Sequence, residues 1–393
     1  MILIQKEVAI IGIGALPIKK YEKELEHEML IKAFSLSIKD AGISKEDIEG
    51  LVFAHPRPYT KQRYFATFMA GHLRIKSSAT VMEVVGNGMT GGFAFNQAMN
   101  EILLGNCKIC VALGVSMETA VPSSEHMNMT MRSVGDVDFH APFGFTPISW
   151  YAMDAVRYMH EYGVAREKIA TVAIKNRFHA SLNPLAQYSK LIELQDVLNA
   201  RPVVEPLGLL EVPPRSDGAV SLILADVETA KSLGKPYVVV KGRGFYHEGA
   251  HQISDKPNEM VKLEAARRAS QLAYEKAGIQ ASDIDVAEIY APCTIIEVLA
   301  SEAFGLCPEG EGAYWAEEGR TKLGGSIPIC TSGGCISRGH PPMVTPLYNI
   351  LEIVEQLRGA AGTRQVKDAE IGLTSCELGN YNAALVHIFE RRV

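Results

Sequence analysis

The most informative stretch of the chain is Gly324-Gly325-Ser326-Ile327-Pro328-Ile329-Cys330-Thr331-Ser332-Gly333-Gly334-Cys335-Ile336-Ser337-Arg338-Gly339-His340-Pro341. Its five glycines and two prolines predict an ordered loop, because glycine permits positive φ and a close approach of backbone to a ligand. His340 is restricted by Gly339 on one side and Pro341 on the other. A histidine held in this way can carry a proton or donate a hydrogen bond, although a plain surface turn is the alternative.

Two cysteines and one glycine-rich turn lie where predicted strands end. Cys376 lies in segment 373–382, and a cysteine at the carboxyl end of a strand is well placed to face a cleft. Cys293 precedes a predicted helix, where the partial positive charge favours a thiolate. For both cysteines the alternative is a buried, inert thiol. Segment 85–92 predicts a strand followed by a glycine-rich turn, which exposes backbone N–H groups at a helix start.

Short apolar runs alternate with helix-length amphipathic stretches, which is the pattern of the α/β class. For example, the apolar run 8–14 is followed by a predicted helix over 23–42, with Gly42 as its C-cap. Residues 116–215 are rich in Met, Pro, His and Asn, so we predict an inserted helical and loop region that covers the site. We expect 1–115 and 216–393 to form two similar halves of the core.

Composition excludes several classes of protein. Hydrophobic residues make up 47% and charged residues 21% of the 393 residues, as in ordinary globular proteins. The net charge of −6 and the lack of basic clusters argue against binding to nucleic acid. We find no run of 18 apolar residues and no signal-peptide pattern, so we predict neither membrane insertion nor export. Seven cysteines are too few for a disulfide scaffold, and we expect a cytoplasmic protein with reduced thiols.

Two short motifs resemble binding sites but lack residues that those sites need. Gly12-Ile13-Gly14 follows a predicted strand, but Pro17 stands where a dinucleotide-binding fingerprint needs its third glycine. Cys107-Lys108-Ile109-Cys110 has no second cysteine pair, so we interpret both cysteines as strand residues rather than zinc ligands. We therefore predict no metal and no permanently bound cofactor.

Taken in order, the four segments resemble the thiolase superfamily, specifically the sterol-carrier-protein-type thiolases. The strongest likeness is Gly-Gly-Ser-Ile-Pro…Ser-Gly-Gly…Gly-His-Pro within 324–341, and segments 158–163, 175–179 and 216–219 are also similar to that family. The resemblance covers nearly the whole chain. It implies the five-layered α-β-α-β-α thiolase fold, with a loop domain inserted in the first half.

The resemblance also implies reversible Claisen chemistry on acyl-CoA thioesters. In that family one cysteine is acylated, and a second cysteine, assisted by histidine, moves the proton at the carbon being joined or released. His340 falls on the histidine of the Gly-His-Pro motif, and Cys376 falls on the C-terminal catalytic cysteine. Substrate and oxyanion binding is expected at four positions in the loops: Gly88, Ser332, Gly339 and Gly379.

Three positions depart from the family pattern. Gly88 stands where the acyl-accepting cysteine is expected, and glycine cannot be acylated. Tyr290 stands where many relatives have a histidine or asparagine, and Leu378 replaces a glycine. The chain is therefore not an ordinary thiolase.

Three hypotheses remain open. In the first hypothesis, the chain is a thiolase-type acyltransferase with a relocated or dispensable nucleophile, and Cys293 is the first candidate for that nucleophile. Gly88 and Leu378 would then widen the pocket. Such a pocket would suit a bulky or branched 3-oxoacyl-CoA, such as an aromatic succinyl-CoA derivative. Alternatively, it is a retro-aldol lyase that acts on a β-hydroxyacyl-CoA and uses Tyr290 as base or donor. The third possibility is a non-catalytic scaffold subunit of a hetero-oligomer.

The resemblance implies coenzyme A as the substrate handle and a homodimeric core. It further implies a small partner protein with a zinc ribbon and an OB-fold.

Overall fold

The computed structural model describes residues 7–21, 23–133, 135–249 and 260–392. Its strands are β1 (Val8–Ala15), β2 (Gly50–Ala54), β3 (Thr80–Val84), β4 (Ile109–Met117), β5 (Pro202–Val204), β6 (Leu207–Gly208), β7 (Asp217–Asp226), β8 (Tyr237–His247), β9 (Val286–Glu288), β10 (Ile371–Leu378) and β11 (Ala383–Arg392). Its helices are α1 (Glu26–Ala41), α2 (Phe65–Leu73), α3 (Thr90–Leu103), α4 (Ser123–Met131), α5 (Pro147–Tyr162), α6 (Arg166–Ser181), α7 (Leu194–Leu198), α8 (Val227–Ser232), α9 (Glu264–Ala277), α10 (Thr294–Ala303), α11 (Gly312–Glu317) and α12 (Thr345–Leu357).

Nine of these strands form a mixed sheet in the order β3-β2-β4-β7-β1-β8-β11-β10-β9. The sheet has two parts, because β1 meets β8 through only two residue pairs, Ala9 with Val239 and Ile10 with Val238. Within the first part, β2 runs parallel to both β3 and β4, whereas β7 runs antiparallel to both β4 and β1. Within the second part, β9 and β10 are parallel, and β11 is antiparallel to its neighbours.

Three apolar clusters fill the interfaces between the layers. The first packs α1 and α2 against one face of the first sheet part, as with Phe34 and Leu51. The second places α3 and α12 between the two sheet parts, where they contact strands of both. The third packs α9, α10 and the inserted helices α5 and α6 against the outer face of the second part. The order helix, sheet, helix, sheet, helix is the five-layered arrangement that the resemblance implied.

Paired glycines bring a helix close to a strand in each half. An ideal Cβ on Gly14 would lie 2.4 Å from the carbonyl oxygen of Ala33 in α1, and one on Gly244 would lie 1.9 Å from that of Ala269 in α9. An ideal Cβ on Gly12 or Gly242 would lie 2.5 or 2.4 Å from a carbonyl oxygen of the same two helices. The Gly12-x-Gly14 motif thus serves helix packing. The helix predicted over 23–42 is confirmed as α1, and Gly42 ends it in the left-handed conformation.

The segment between β4 and β7 holds four helices, α4 to α7, and the short β5–β6 ribbon. It leaves the sheet after Met117 and returns at Asp217, which pair with each other. The predicted insertion at 116–215 falls on this segment, while the division of the chain into three domains stays a prediction. None of the described helices is both long and apolar enough to cross a bilayer.

Strand direction brings distant loops to one edge of the sheet. Because β3 and β4 are both parallel to β2, the turns that follow them, at Asn87 and Glu118, open at the same edge. The antiparallel β7 begins at that edge, next to the end of β4. In the second part, parallel β9 and β10 likewise end together. The carboxyl ends of parallel strands are where α/β proteins bind their ligands.

Candidate active site

A cavity of about 220 Å³ lies at this edge, beneath the inserted helices α4 and α5. It brings together one or more residues from each of the four segments that the sequence singled out: Gly88, Tyr290, His340 and Gly379. Its wall is completed by residues from the insertion and from other loops: Pro58, Tyr59, Asn87, Glu118, His126, Met129, Thr130, Ser133, Pro147, Ile148, Tyr151, Pro213, Pro214, Arg215, Pro292, Pro342 and Glu377.

Tyr290 and His340 form the polar centre of the cavity. The hydroxyl of Tyr290 lies 2.7 Å from Nε2 of His340. Burial, with the nearby Arg338 cation, lowers the pKa of His340 to about 3, so the imidazole is neutral at physiological pH. Burial raises the pKa of Tyr290 well above its usual value, so its phenol keeps the proton. Tyr290 therefore donates the hydrogen bond, and Nε2 of His340 accepts it.

The backbone on both sides of this pair is fixed by hydrogen bonds. Tyr290 N–H donates to Oγ of Ser375 at 3.1 Å, and the hydroxyl of Tyr381 donates to the carbonyl oxygen of Tyr290 at 2.7 Å. His340 N–H donates to Oγ of Ser216 at 3.0 Å. The phenol and the imidazole thus meet in a geometry that the protein sets before any substrate binds.

Gly88 lies directly against the phenol of Tyr290. An ideal Cβ at position 88 would lie 2.7 Å from the carbonyl oxygen of Glu377 and 3.1 Å from Oη of Tyr290. The room that a side chain would need is therefore already filled. The expectation that Gly88 widens the pocket is wrong, because Tyr290 occupies that space.

Cys376 does not line the cavity. Successive side chains of a strand point to opposite faces, and Cys376 in β10 points towards helix α3. Its Sγ lies 2.6 Å from the place that a Cβ on Gly92 would take, and it packs beside Leu385. Burial raises the pKa of its thiol. Its role in proton transfer stays a prediction from the resemblance; the thiol packs in one apolar cluster with Tyr290 but is not part of the cavity wall.

Glu377, the next residue of the strand, faces the cavity instead. Its side chain accepts hydrogen bonds from the Tyr151 hydroxyl at 3.2 Å and from Tyr381 N–H at 3.0 Å. Burial nevertheless raises the pKa of this carboxyl to about 7. Glu377 was not among the site residues predicted from the sequence. The alternation of β10 was the signal that could have found it, because only one of two neighbouring residues can face a cleft.

Three other predicted site residues lie outside the cavity wall. Cys293 is the N-cap of α10 but is completely buried, and burial raises the pKa of its thiol well above the usual value. The expected thiolate is therefore wrong, because loss of solvent outweighs the helix terminus. Ser332 Oγ donates to the buried Glu288 carboxylate at 2.7 Å. Gly339 adopts a φ of 115°, which glycine tolerates, and so aims His340.

All seven cysteines lie in the described ranges, and each is buried and forms no disulfide. None of them lines the cavity. Within those same ranges, no group of three or more His, Cys, Asp or Glu side chains is arranged to hold a metal ion. The polar side chains that the cavity offers are phenols, imidazoles, carboxyls, the guanidinium of Arg215, the amide of Asn87 and the hydroxyls of Thr130 and Ser133.

Two family models match the chain. The thiolase N-terminal domain matches residues 8–197, and a thiolase C-terminal domain-like model matches residues 247–391. An acetyl-CoA acetyltransferase of Methanothermobacter thermautotrophicus is 32% identical, over 98% of this chain and 100% of that protein. The benzoylsuccinyl-CoA thiolase subunit BbsB of Thauera aromatica is 31% identical, over 76% of this chain and 74% of that protein.

Among solved structures, an Ltp2-ChsH2(DUF35) aldolase superposes with a TM-score of 0.84 at 28% identity, covering 98% of this chain and 97% of that one. These matches confirm both the suspected family and its fold. The chain is an enzyme of the thiolase family.

Proposed function

We propose that the chain catalyses the reversible aldol cleavage of a 3-hydroxyacyl-CoA, rather than thiolytic cleavage of a 3-oxoacyl-CoA. The observation that carries this proposal is the phenol of Tyr290, hydrogen-bonded to His340 at 2.7 Å, in the space where a nucleophile at position 88 would stand. Thiolysis needs an acyl-accepting side chain, whereas aldol cleavage needs only a base for the hydroxyl and stabilisation of the enolate.

The cleavage direction uses the Tyr290–His340 pair as a proton acceptor. Tyr290 takes the proton of the substrate's 3-hydroxyl as it passes its own proton to Nε2 of His340. The C2–C3 bond breaks, C3 becomes the carbonyl carbon of an aldehyde or ketone, and the electron pair stays on C2 as a thioester enolate. A proton added at C2 completes a shortened acyl-CoA. No acyl-enzyme forms, and no free CoA is consumed.

The experiment compares two substrate sets on the purified chain: 3-hydroxyacyl-CoA thioesters alone, and 3-oxoacyl-CoA thioesters with free CoA. We expect cleavage of the first set without added CoA. Tyr290→Phe should lower kcat by about 100-fold or more, as expected for loss of a positioned acid or base. Tyr64→Phe, which changes a phenol that is 83% exposed, is the matched control and should leave the rate unchanged.

Other outcomes separate the competing hypotheses. Cleavage that requires free CoA, together with an acyl adduct by mass spectrometry, would replace the aldolase proposal with thiolase chemistry. Unchanged turnover by the Tyr290→Phe variant would also contradict the aldolase proposal. A chain that turns over neither substrate set, alone or with its partner, would be the scaffold subunit of the third hypothesis.

The acyl group that we propose is bulky or branched. Much of the cavity wall consists of apolar residues such as Pro58, Ile148 and Pro292, which suit a hydrocarbon group. The similarity to a protein named for benzoylsuccinyl-CoA favours, among 3-hydroxyacyl-CoA candidates, one that carries an aromatic group. A panel of linear, branched and aromatic thioesters, compared by kcat/KM, tests this; a preference for short linear chains would contradict it.

We also propose a cytoplasmic hetero-oligomer, with a homodimeric core and a small zinc-ribbon and OB-fold partner. Support comes from two relatives, one named a subunit and one solved as an Ltp2-ChsH2(DUF35) aldolase. Native mass spectrometry of the protein from its source cell tests this assembly. A homodimer alone, with no smaller chain attached, would contradict the proposed partner.

A further inference from the structure

A second pair of ionisable side chains, Glu118 and His126, lines the same cavity as Tyr290 and His340. Glu118 lies just after β4, on the sheet, whereas His126 lies on α4 of the insertion. Nε2 of His126 lies 2.7 Å from Oε1 of Glu118. Because an ionised carboxylate only accepts hydrogen bonds, Nε2 donates to it. The cavity thus joins a carboxylate–imidazole pair to a phenol–imidazole pair.

The Glu118 carboxylate is held firmly in place. It is 7% exposed, and its Oε2 accepts a hydrogen bond from Ser216 N–H at 3.0 Å. The hydroxyl of that same serine accepts the N–H of His340 at 3.0 Å. Ser216 therefore links the two pairs, because its N–H binds the Glu118 carboxylate and its hydroxyl binds the backbone of His340.

His126 keeps one ring nitrogen available. Nε2 is engaged by Glu118, and no other described residue makes a hydrogen bond to the ring. The ring packs almost parallel to that of Tyr59, with the ring centroids 6.3 Å apart and 16° between the planes. A carboxylate that accepts from one nitrogen of an imidazole orients the ring and leaves the other nitrogen to exchange protons with a substrate.

We propose that His126, oriented by Glu118, is the catalytic residue that transfers the proton at C2 of the CoA thioester. This inference rests on the proposed aldol chemistry, which needs a proton acceptor at the hydroxyl and a proton donor at C2. In cleavage, the Nδ1–H bond of imidazolium His126 breaks, a C–H bond forms at C2 with the enolate electron pair, and the ring becomes neutral. Water then takes the proton held by the Tyr290–His340 pair and supplies one to His126. Both pairs thereby return to their starting protonation.

The test follows hydrogen exchange at C2 of an acyl-CoA in D₂O, using the acyl-CoA product of the cleavage reaction and, separately, acetyl-CoA. Wild type should exchange the C2 hydrogens without any carbonyl partner. His126→Gln should lower the exchange rate by about 100-fold or more, the range for a positioned acid or base. His160→Gln, an exposed histidine on α5 outside this cavity, is the matched control and should exchange as fast as wild type.

Glu118 is a positioning residue in this scheme, and a second variant tests it. Glu118→Gln keeps the shape but removes the negative charge beside the ring, so kcat for exchange should fall and its pH profile should move while KM for the acyl-CoA stays constant. A merely structural contact would lower thermal stability and leave the pH profile in place. This variant also covers the case in which His126→Gln fails to fold.

The outcomes distinguish this inference from the proposed function. If His126→Gln exchanges within twofold of wild type, the role of His126 is overturned even if aldol cleavage is real. If wild type exchanges, depends on His126 and yet cleaves no 3-hydroxyacyl-CoA, the aldolase proposal fails while the role of His126 stands. If wild type neither exchanges nor cleaves, both are overturned.

Discussion

Gly88 shows how one residue couples the shape of the site to its chemistry. A Cβ at this position would lie 2.7 Å from the Glu377 carbonyl oxygen, which is closer than a Cβ allows, and 3.1 Å from the Tyr290 hydroxyl, which is a tight contact. The glycine is required here by this close approach, and no positive φ is involved. Position 88 and position 290 therefore form a matched pair, in which the larger residue fills the space that the smaller one leaves.

We predict that Gly88→Ala displaces the Tyr290 hydroxyl and breaks its contact with His340. Overpacking of this kind costs about 1–3 kcal/mol of folding free energy, and we expect kcat to fall at least tenfold. Urea denaturation and steady-state kinetics measure the two effects. Gly71→Ala is the control, since a Cβ there meets nothing within 4 Å and alanine suits its helix. An active, fully stable Gly88→Ala would refute the matched pair.

The buried Glu377 carboxyl predicts a dependence of stability on pH. Burial raises its pKa to about 7 in the folded protein, from about 4.3 in an unfolded chain, so the folded state binds the proton more tightly. Its contribution is complete below about pH 4 and is lost as the pH rises through 7. Compared with Glu377→Gln, wild type should lose on the order of 2–3 kcal/mol of unfolding free energy between pH 5 and 8.

Urea denaturation of the two proteins at several pH values measures this difference. Glu288 and Glu355 also have pKa values raised to about 7, but they are present in both proteins and cancel in the comparison. Parallel stability curves for wild type and Glu377→Gln would contradict the raised pKa.

At the scale of elements, the close approach of α1 to β1 and of α9 to β8 depends on glycine. Any Cβ at Gly14 or Gly244 would collide with helix backbone, which cannot rotate away as a side chain can. We predict that Gly14→Ala and Gly244→Ala each cost about 2–3 kcal/mol or more, with the larger loss at Gly244, where the clash is closer. Chemical denaturation tests this, and a loss below about 0.5 kcal/mol at either site would contradict it.

In the glycine-rich stretch 324–341, the observed position of one residue differs from its predicted role. Ser332, expected to touch substrate, instead joins Arg338 and Glu288 in a buried network behind the loop. Arg338 also donates to Oδ1 of Asn349 in α12 at 2.8 Å. The network anchors the loop on the side away from the cavity, and His340 is thereby held at the cavity wall.

At the scale of the whole molecule, β7 joins the two halves of the chain. It pairs with nine residues of β4 and seven of β1, so the first half of the sheet is incomplete without a strand that follows the insertion. We predict that a fragment of residues 1–216 does not fold, because β4 and β1 would each present an unpaired edge. Thermal denaturation followed by circular dichroism measures this against the full chain, and a cooperative transition of the fragment would contradict it.

The sequence by itself was enough for the fold class, the family and the loops of the site. Glycine-rich loops and strand–helix alternation are local patterns, so the segments that hold Gly88, Tyr290, His340 and Gly379 could be recognised without a structure. The close approach of Gly12 and Gly14 to α1 gives that motif a packing role, and a motif likeness pointed to His340.

Only the tertiary structure decided which side chains meet. Whether Cys376 or Glu377 faces the cavity depends on the orientation of β10 against α3, and the partnership of Glu118 with His126 depends on how the insertion folds over the sheet. The state of the Cys293 thiol was likewise set by burial rather than by its place before a helix. Contacts between residues far apart in the chain, and the loss of water that accompanies them, arise from packing and leave no local pattern to read.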